Sequence, residues 1–426
     1  MKIVAIFSLS LNVVLLILII SFLPQDEYQL STFDEKEKIS YNNPFGKKEI
    51  EKINALIDYG SVLVVDGDGD ILLDYYGNER LIPASTLKVA TSLVALRYLG
   101  KDYRFITEFK LDKQRNLYIK GLGDPSLTSN EIRLIIKQLK EKGLKQINSI
   151  YIDGSYFEDT IMVPGNEDTY KSYDAKNTAL AANYNTIAFK RKGKKVISGE
   201  DETPYFPFAG TLLKKAEKEI KKLKRLNSFR IAIKEGEDSL LYFGHLFKEL
   251  CKEFSIKTKG KIVIRKSPVY LPIFHLYHSS KTLSEIVKDL LEFSNNFTAN
   301  QILLILSTRL GEPATLENGV KVVSDFLKRK VLLKDIRLSE GSGLSYANKV
   351  TANEMLRVLG YFKPYKKLLK EVEMNVFAKS GGLKTVMSYV GFIDTERYGE
   401  VRFAIILNQS SNNKSHILKL LTETLK

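Results

Sequence analysis

Leu81-Ile82-Pro83-Ala84-Ser85-Thr86-Leu87-Lys88-Val89-Ala90-Thr91-Ser92-Leu93-Val94-Ala95-Leu96 is the stretch around which the chain is organised. It predicts a helix entered through proline, because Pro83 pre-sets the backbone and needs no amide donor at a helix start. Leu87, Ala90, Thr91 and Val94 recur at helical spacing, which predicts one apolar face and a central position. Ser85 falls in the first turn, and Lys88 follows three residues later on the same face. A hydroxyl and an amine can therefore meet above a helix end whose unpaired amides favour developing negative charge. That arrangement suits a nucleophilic serine whose base is a lysine. Ser-x-x-Lys alone arises by chance in a lysine-rich chain, so the reading needs further residues.

Two stretches supply them. Phe293-Ser294-Asn295-Asn296-Phe297 joins two apolar-periodic segments, residues 282–293 and 297–310, which read as helices. Ala378-Lys379-Ser380-Gly381-Gly382-Leu383 precedes the strand-like Ser388-Tyr389-Val390-Gly391-Phe392-Ile393. Each has an ordinary reading by itself: Ser294 suits a helix N-cap, and residues 379–382 suit a turn. In chain order the three stretches give Ser-x-x-Lys, Ser-x-Asn and Lys-Ser-Gly. That order resembles the penicillin-binding proteins and serine β-lactamases. Gly121-Leu122-Gly123-Asp124-Pro125-Ser126-Leu127, Asn183-Tyr184-Asn185 and Glu340-Gly341-Ser342-Gly343-Leu344-Ser345 narrow the resemblance to the D-alanyl-D-alanine carboxypeptidase/endopeptidase branch. The long gap between Lys88 and Ser294 fits that branch, and the resemblance covers residues 50–426. The chain departs at the third motif. The family usually has Lys-Thr-Gly followed by Thr or Ser, whereas Gly382 follows Lys379-Ser380-Gly381 here.

The resemblance implies an α+β fold. A β-lactamase/transpeptidase-like catalytic domain, an antiparallel sheet covered by helices, would comprise residues 49–105 and 279–426. Residues 106–278 would form an inserted accessory region of one or two α/β modules. It also implies a serine DD-peptidase inhibited by β-lactams and acting on peptidoglycan stem peptides. Ser85 would form the acyl-enzyme, with Lys88 as base, Ser294 as proton relay and Asn296 binding the substrate amide. Lys379, Ser380, Gly381 and Gly382 would bind substrate, and the Ser85 and Gly382 amides would hold the oxyanion. Glu340 to Leu344 would shape the pocket wall. A silent peptidoglycan-binding protein on the same scaffold, or a β-lactamase or esterase, stays open as an alternative.

Residues 3–23 form an apolar run after Lys2, long enough to span a bilayer and without a clear small-x-small cleavage site. An uncleaved signal anchor is expected, with residues 24–48 as linker and the remainder outside the cytoplasmic membrane, or secreted if the segment is cleaved. Cys251 is the single cysteine, which rules out an intramolecular disulfide and suits a core position. His245, His275, His278 and His416 lack ligand-spaced partners, so neither metal nor cofactor is expected. The net charge of +15 is spread over helix faces and loops, which points to a solvated surface and not to nucleic acid. Residues 61–65 and 71–76 flank Asp66-Gly67-Asp68-Gly69-Asp70, a hairpin turn lacking the glycine and glutamate that a calcium loop needs. The insert alternates strand-like and helix-like segments, with helices expected over 130–142, 211–225 and 244–254 and a strand over 147–153.

Overall fold

The computed structural model describes residues 43–426, apart from Thr160 and Glu312. The apolar run at 3–23 and most of the expected linker lie outside the described residues.

Six strands make the main sheet, in the order Lys370–Glu373, Val376–Leu383, Val386–Thr395, Gly399–Leu407, Gly60–Val65 and Ile71–Tyr75. Neighbouring strands run antiparallel. Gly60–Val65 pairs with Gly399–Leu407, so the two ends of the described chain are knitted at the centre of the sheet. These strands are rich in Val, Ile and Leu, which suit a pleated, covered surface. Successive side chains point to opposite faces. Val62, Val64, Phe403 and Ile405 enter a core with Ile53, Ile417 and Leu421 from the helices Lys47–Asn54 and Lys414–Thr424. Leu63, Val65, Ala404 and Ile406 enter a larger core on the other face, shared with the Ser85 helix. Covering both faces explains why all six residues of Gly60–Val65 are buried.

The Ser85 helix opens with a tight turn, Ala84–Thr86, and continues as Leu87–Leu99. Its expected single apolar face is corrected: every residue from Leu87 to Leu96 is buried. The helices Leu283–Phe293, Asn296–Ser307 and Ala352–Phe362 pack around it. A helix enclosed on all sides loses the wet face that periodicity presumes.

Residues between these parts form a second assembly with its own core. A five-stranded sheet has the order Ile262–Ile264, Ile150–Asp153, Leu117–Gly121, Ile106–Leu111 and Ile273–His278. A three-stranded sheet has the order Lys195–Ser198, Thr186–Lys192 and Ser228–Ala232. Helix Ser129–Glu141 matches its expectation, but the helix expected from 244 starts at Gly236 and that expected from 211 starts at Pro207. The strand expected over 147–153 is split into Gln146–Ile147 and Ile150–Asp153. Cys251 lies in this core, where burial pushes its thiol pKa up.

Candidate active site

Three elements meet at the mouth of the Ser85 helix, and glycines let them approach. Gly343 has φ +81, and a Cβ on it would lie 1.8 Å from the Ala84 carbonyl oxygen. A Cβ on Gly381 would lie 2.3 Å from Ser388 Oγ and 3.0 Å from the Ser85 backbone nitrogen. Ser388 Oγ donates to the Pro83 carbonyl at 2.7 Å, tying the strand to the turn that presents Ser85. Ala84 itself has φ +49, a strained value for a residue with a side chain.

Lys88 Nζ lies 2.8 Å from Ser85 Oγ, 2.7 Å from Asn296 Oδ1 and 2.7 Å from the Ser342 carbonyl oxygen. An ammonium has three donors, and all three are used. The side chain is fully buried. Burial, and next the Lys379 ammonium, push the Lys88 pKa down to about 7, while Glu340 opposes the shift. An amine so placed can take a hydroxyl proton near neutral pH.

Ser294 is not a helix N-cap. It ends the helix Leu283–Phe293 in the left-handed conformation, φ 58 and ψ 39. Asn295 caps the next helix instead, accepting from the Thr298 amide at 3.0 Å. Ser294 Oγ accepts from Lys379 Nζ at 3.0 Å, and Lys379 also donates to the Ser380 carbonyl at 2.8 Å. Burial, then Lys414, lower the Lys379 pKa to about 8. Residues 379–382 are strand and not turn, pairing in register from Lys379↔Val390 to Gly382↔Met387.

Glu340 does more than shape a wall. It is fully buried and accepts from the amides of Ser342 and Gly343 at 2.7 Å each. It also accepts from Ser342 Oγ at 2.6 Å, Asn348 Nδ2 at 2.7 Å, Asn300 Nδ2 at 3.1 Å and the Ser345 amide at 3.4 Å. This wraps residues 340–345 around one carboxylate and turns the Ser342 carbonyl onto Lys88. Sequence reasoning also missed Lys414, whose Nζ donates to the Gly381 carbonyl at 2.8 Å.

The other two quoted stretches back the helix that carries Asn296. Gly123, at φ +86, abuts Ile305. Asn183, Tyr184 and Asn185 have φ values of 50, 58 and 51, which the two asparagines tolerate better than the bulky Tyr184 between them. This bend sets the Tyr184 ring edge-on to Phe297, centroids 6.4 Å apart. Among the described residues no cluster of three His, Cys, Asp or Glu side chains offers a metal site.

A model of the D-Ala-D-Ala carboxypeptidase 3 (S13) family matches residues 52–373. The chain belongs to that family. It is 25% identical over 350 residues to a D-alanyl-D-alanine carboxypeptidase of Actinomadura sp. (strain R39), covering 71% of this chain and 64% of that one. It thus spans just under two thirds of that relative's length. It is 24% identical over 397 residues to D-alanyl-D-alanine carboxypeptidase DacB of Haemophilus influenzae, covering 79% of this chain and 82% of that enzyme. Its fold is similar to that of penicillin-binding protein 4 (dacB) from Haemophilus influenzae, with a TM-score of 0.71 at 19% identity, covering 88% of this chain and 99% of that one. A predatory endopeptidase from Bdellovibrio bacteriovorus matches with a TM-score of 0.51 at 16% identity, covering 86% and 91%. The expected family and α+β fold are borne out.

Proposed function

We propose that this S13-family member is a serine DD-peptidase that cleaves D-alanyl-D-alanine-type bonds in peptidoglycan stem peptides through an acyl-enzyme on Ser85, and that penicillin acylates the same hydroxyl. The observation that carries the reading is Lys88, buried, its pKa pushed down to about 7, and 2.8 Å from Ser85 Oγ.

Lys88 takes the Ser85 proton as Oγ bonds to the scissile carbonyl carbon. The backbone amides of Ser85 and Gly382 bind the oxyanion, an effect of about 3 kcal/mol per donor. Ser294, held by Lys379 at 3.0 Å, relays a proton to the departing amine as the C–N bond breaks. Asn296 divides its side-chain amide between Lys88 and the substrate backbone. Ser380 binds the substrate carboxylate in the field of Lys379. Water then hydrolyses the ester and restores Ser85.

Residues 49–105 and 279–426 make the catalytic domain in this reading, and 106–278 the accessory region, whose separate apolar core supports the division. Residues 3–23 anchor the chain in the cytoplasmic membrane with the site in the cell envelope. The length of this apolar run, broken only by Ser8, Ser10, Asn12 and Ser21 and free of charged residues, supports that placement.

Mass analysis of stem peptides incubated with the purified chain tests the activity. Loss of one terminal D-alanine, or cleavage of a D-alanyl cross-bridge, is expected. Unchanged peptides would refute it.

A further inference from the structure

Lys414 stands in a setting that disfavours a cation in two respects. It is the first residue of the helix Lys414–Thr424, where the helix dipole repels positive charge. It is partly buried, and burial lowers its pKa. It is close enough to Lys379 to depress that amine too. Among the described residues no carboxylate lies within ion-pair distance of it. A residue kept where it costs stability points to a task.

Its position suggests the task. Lys414 Nζ lies 4.7 Å from the centroid of the Tyr389 ring. Tyr389 is the cross-strand partner of Ser380, and directly opposed side chains share a face of the sheet. The Lys414 ammonium and the Ser380 hydroxyl therefore share the sheet face that packs on the helix Lys414–Thr424, opposite the face through which Gly381 and Ser388 meet the Ser85 turn, and they meet a substrate at the edge of this strand. Strand Lys370–Glu373 pairs only with residues 376–378, so the outer edge of 380–383 is open among the described residues. Gly382 supplies no hydroxyl there. Lys379 already donates to Ser294 and to the Ser380 carbonyl. One Lys414 donor goes to Gly381, which leaves two.

We propose that Lys414 is a specificity-determining residue that pairs with the terminal carboxylate of the substrate beside Ser380, making up for the hydroxyl that Gly382 lacks. The inference rests on the DD-peptidase reading above. A carboxylate arriving there gains a charge-assisted hydrogen bond and neutralises a cation that the fold leaves unpaired.

The test compares an N-acyl-D-alanyl-D-alanine peptide with its C-terminal amide. In Lys414→Met, KM for the free acid should rise roughly tenfold to hundredfold, with kcat nearly unchanged and the amide unaffected. Lys414→Arg should restore most of the loss. Calorimetric binding of both peptides to Ser85→Ala, with and without Lys414→Met, repeats the comparison without turnover. Equal losses on acid and amide, or no loss on either, would overturn the carboxylate role and leave Lys414 a tie between helix and strand. A wild-type chain that neither binds nor cleaves either peptide would instead overturn the underlying reading, and the inference with it.

Discussion

The Lys88 ammonium donates to the main-chain carbonyl of Ser342 at 2.7 Å. A loop 254 residues away in sequence thus fixes the amine beside Ser85. Glu340 holds that loop; burial and then Lys379 lower the Lys88 pKa, and the Glu340 charge raises it.

The pH dependence of acylation should reflect this balance. Lys88 must be neutral to act, so the rate rises as pH climbs through about 7. It falls above about 8 for carboxylate-bearing substrates as Lys379 loses its charge. The two amines interact, so these values belong to the pair. Lys379→Met removes a cation and should move the acidic limb to higher pH. Glu340→Gln removes an anion and should move it lower, with a stability loss of about 3 kcal/mol from the broken carboxylate contacts. Rates of penicillin acylation across pH check both signs, and shifts in the same direction would refute the balance.

Gly381→Ala should separate strand from nucleophile. The added Cβ meets Ser388 Oγ at 2.3 Å and crowds the Ser85 amide. Acylation should fall at least tenfold, roughly 1.4 kcal/mol of barrier, because a displacement near 1 Å suffices for such losses. Gly382→Ala, whose Cβ would meet only the Val386 carbonyl at 3.9 Å, is the control for fold. Equal rates in the wild type and Gly381→Ala would show that this contact does not set the site.

Ser294→Gly should trade activity for stability. Its φ of 58 strains a side chain by about 1 kcal/mol, which glycine relieves. Melting temperature should hold or rise while acylation slows. Asn295→Ala should do the reverse, losing a helix cap worth about 1 kcal/mol with acylation nearly intact. Thermal melts and acylation rates of the two variants separate these outcomes.

Asp124 makes a different prediction. Burial raises its carboxyl from 3.8 to about 6, against the opposing bonds from Ser126. The folded state therefore binds this proton more tightly than the unfolded state. The stability it confers is full below pH 3.8 and is lost as pH rises through about 6, up to about 3 kcal/mol. Asp124→Asn carries no charge, so it should raise the melting temperature at pH 8 and change it little at pH 4. A difference independent of pH would contradict this.

Much of the scaffold was legible because apolar periodicity and chain order survive in single residues. The hairpin, the Ser85 helix and the strand through residues 388–393 all follow from them. What was missed has physical causes. The Ser85 helix is buried on every side, which a one-face pattern cannot express. Taken singly, residues 379–382 suit a turn because glycine is common in turns; only the three-dimensional packing shows that Gly381 lets a strand pass close to Ser85. Glu340 reads as a wall residue because nothing in its spacing shows that donors from Ser342, Gly343, Ser345, Asn348 and Asn300 turn onto a single carboxylate. Lys414 lies in a helix with no motif, and its role depends on a carbonyl 33 residues away.

The most direct test of Ser85 as nucleophile and Lys88 as its base is peptide mapping of the penicillin adduct. The wild-type chain should carry one penicillin per molecule, on the peptide that contains Ser85. Ser85→Ala should carry none, and Lys88→Met should acquire it at least a hundredfold more slowly, the lower end of the range for a lost general base. An adduct on the peptide containing Ser294, or undiminished labelling of Ser85→Ala, would contradict the account.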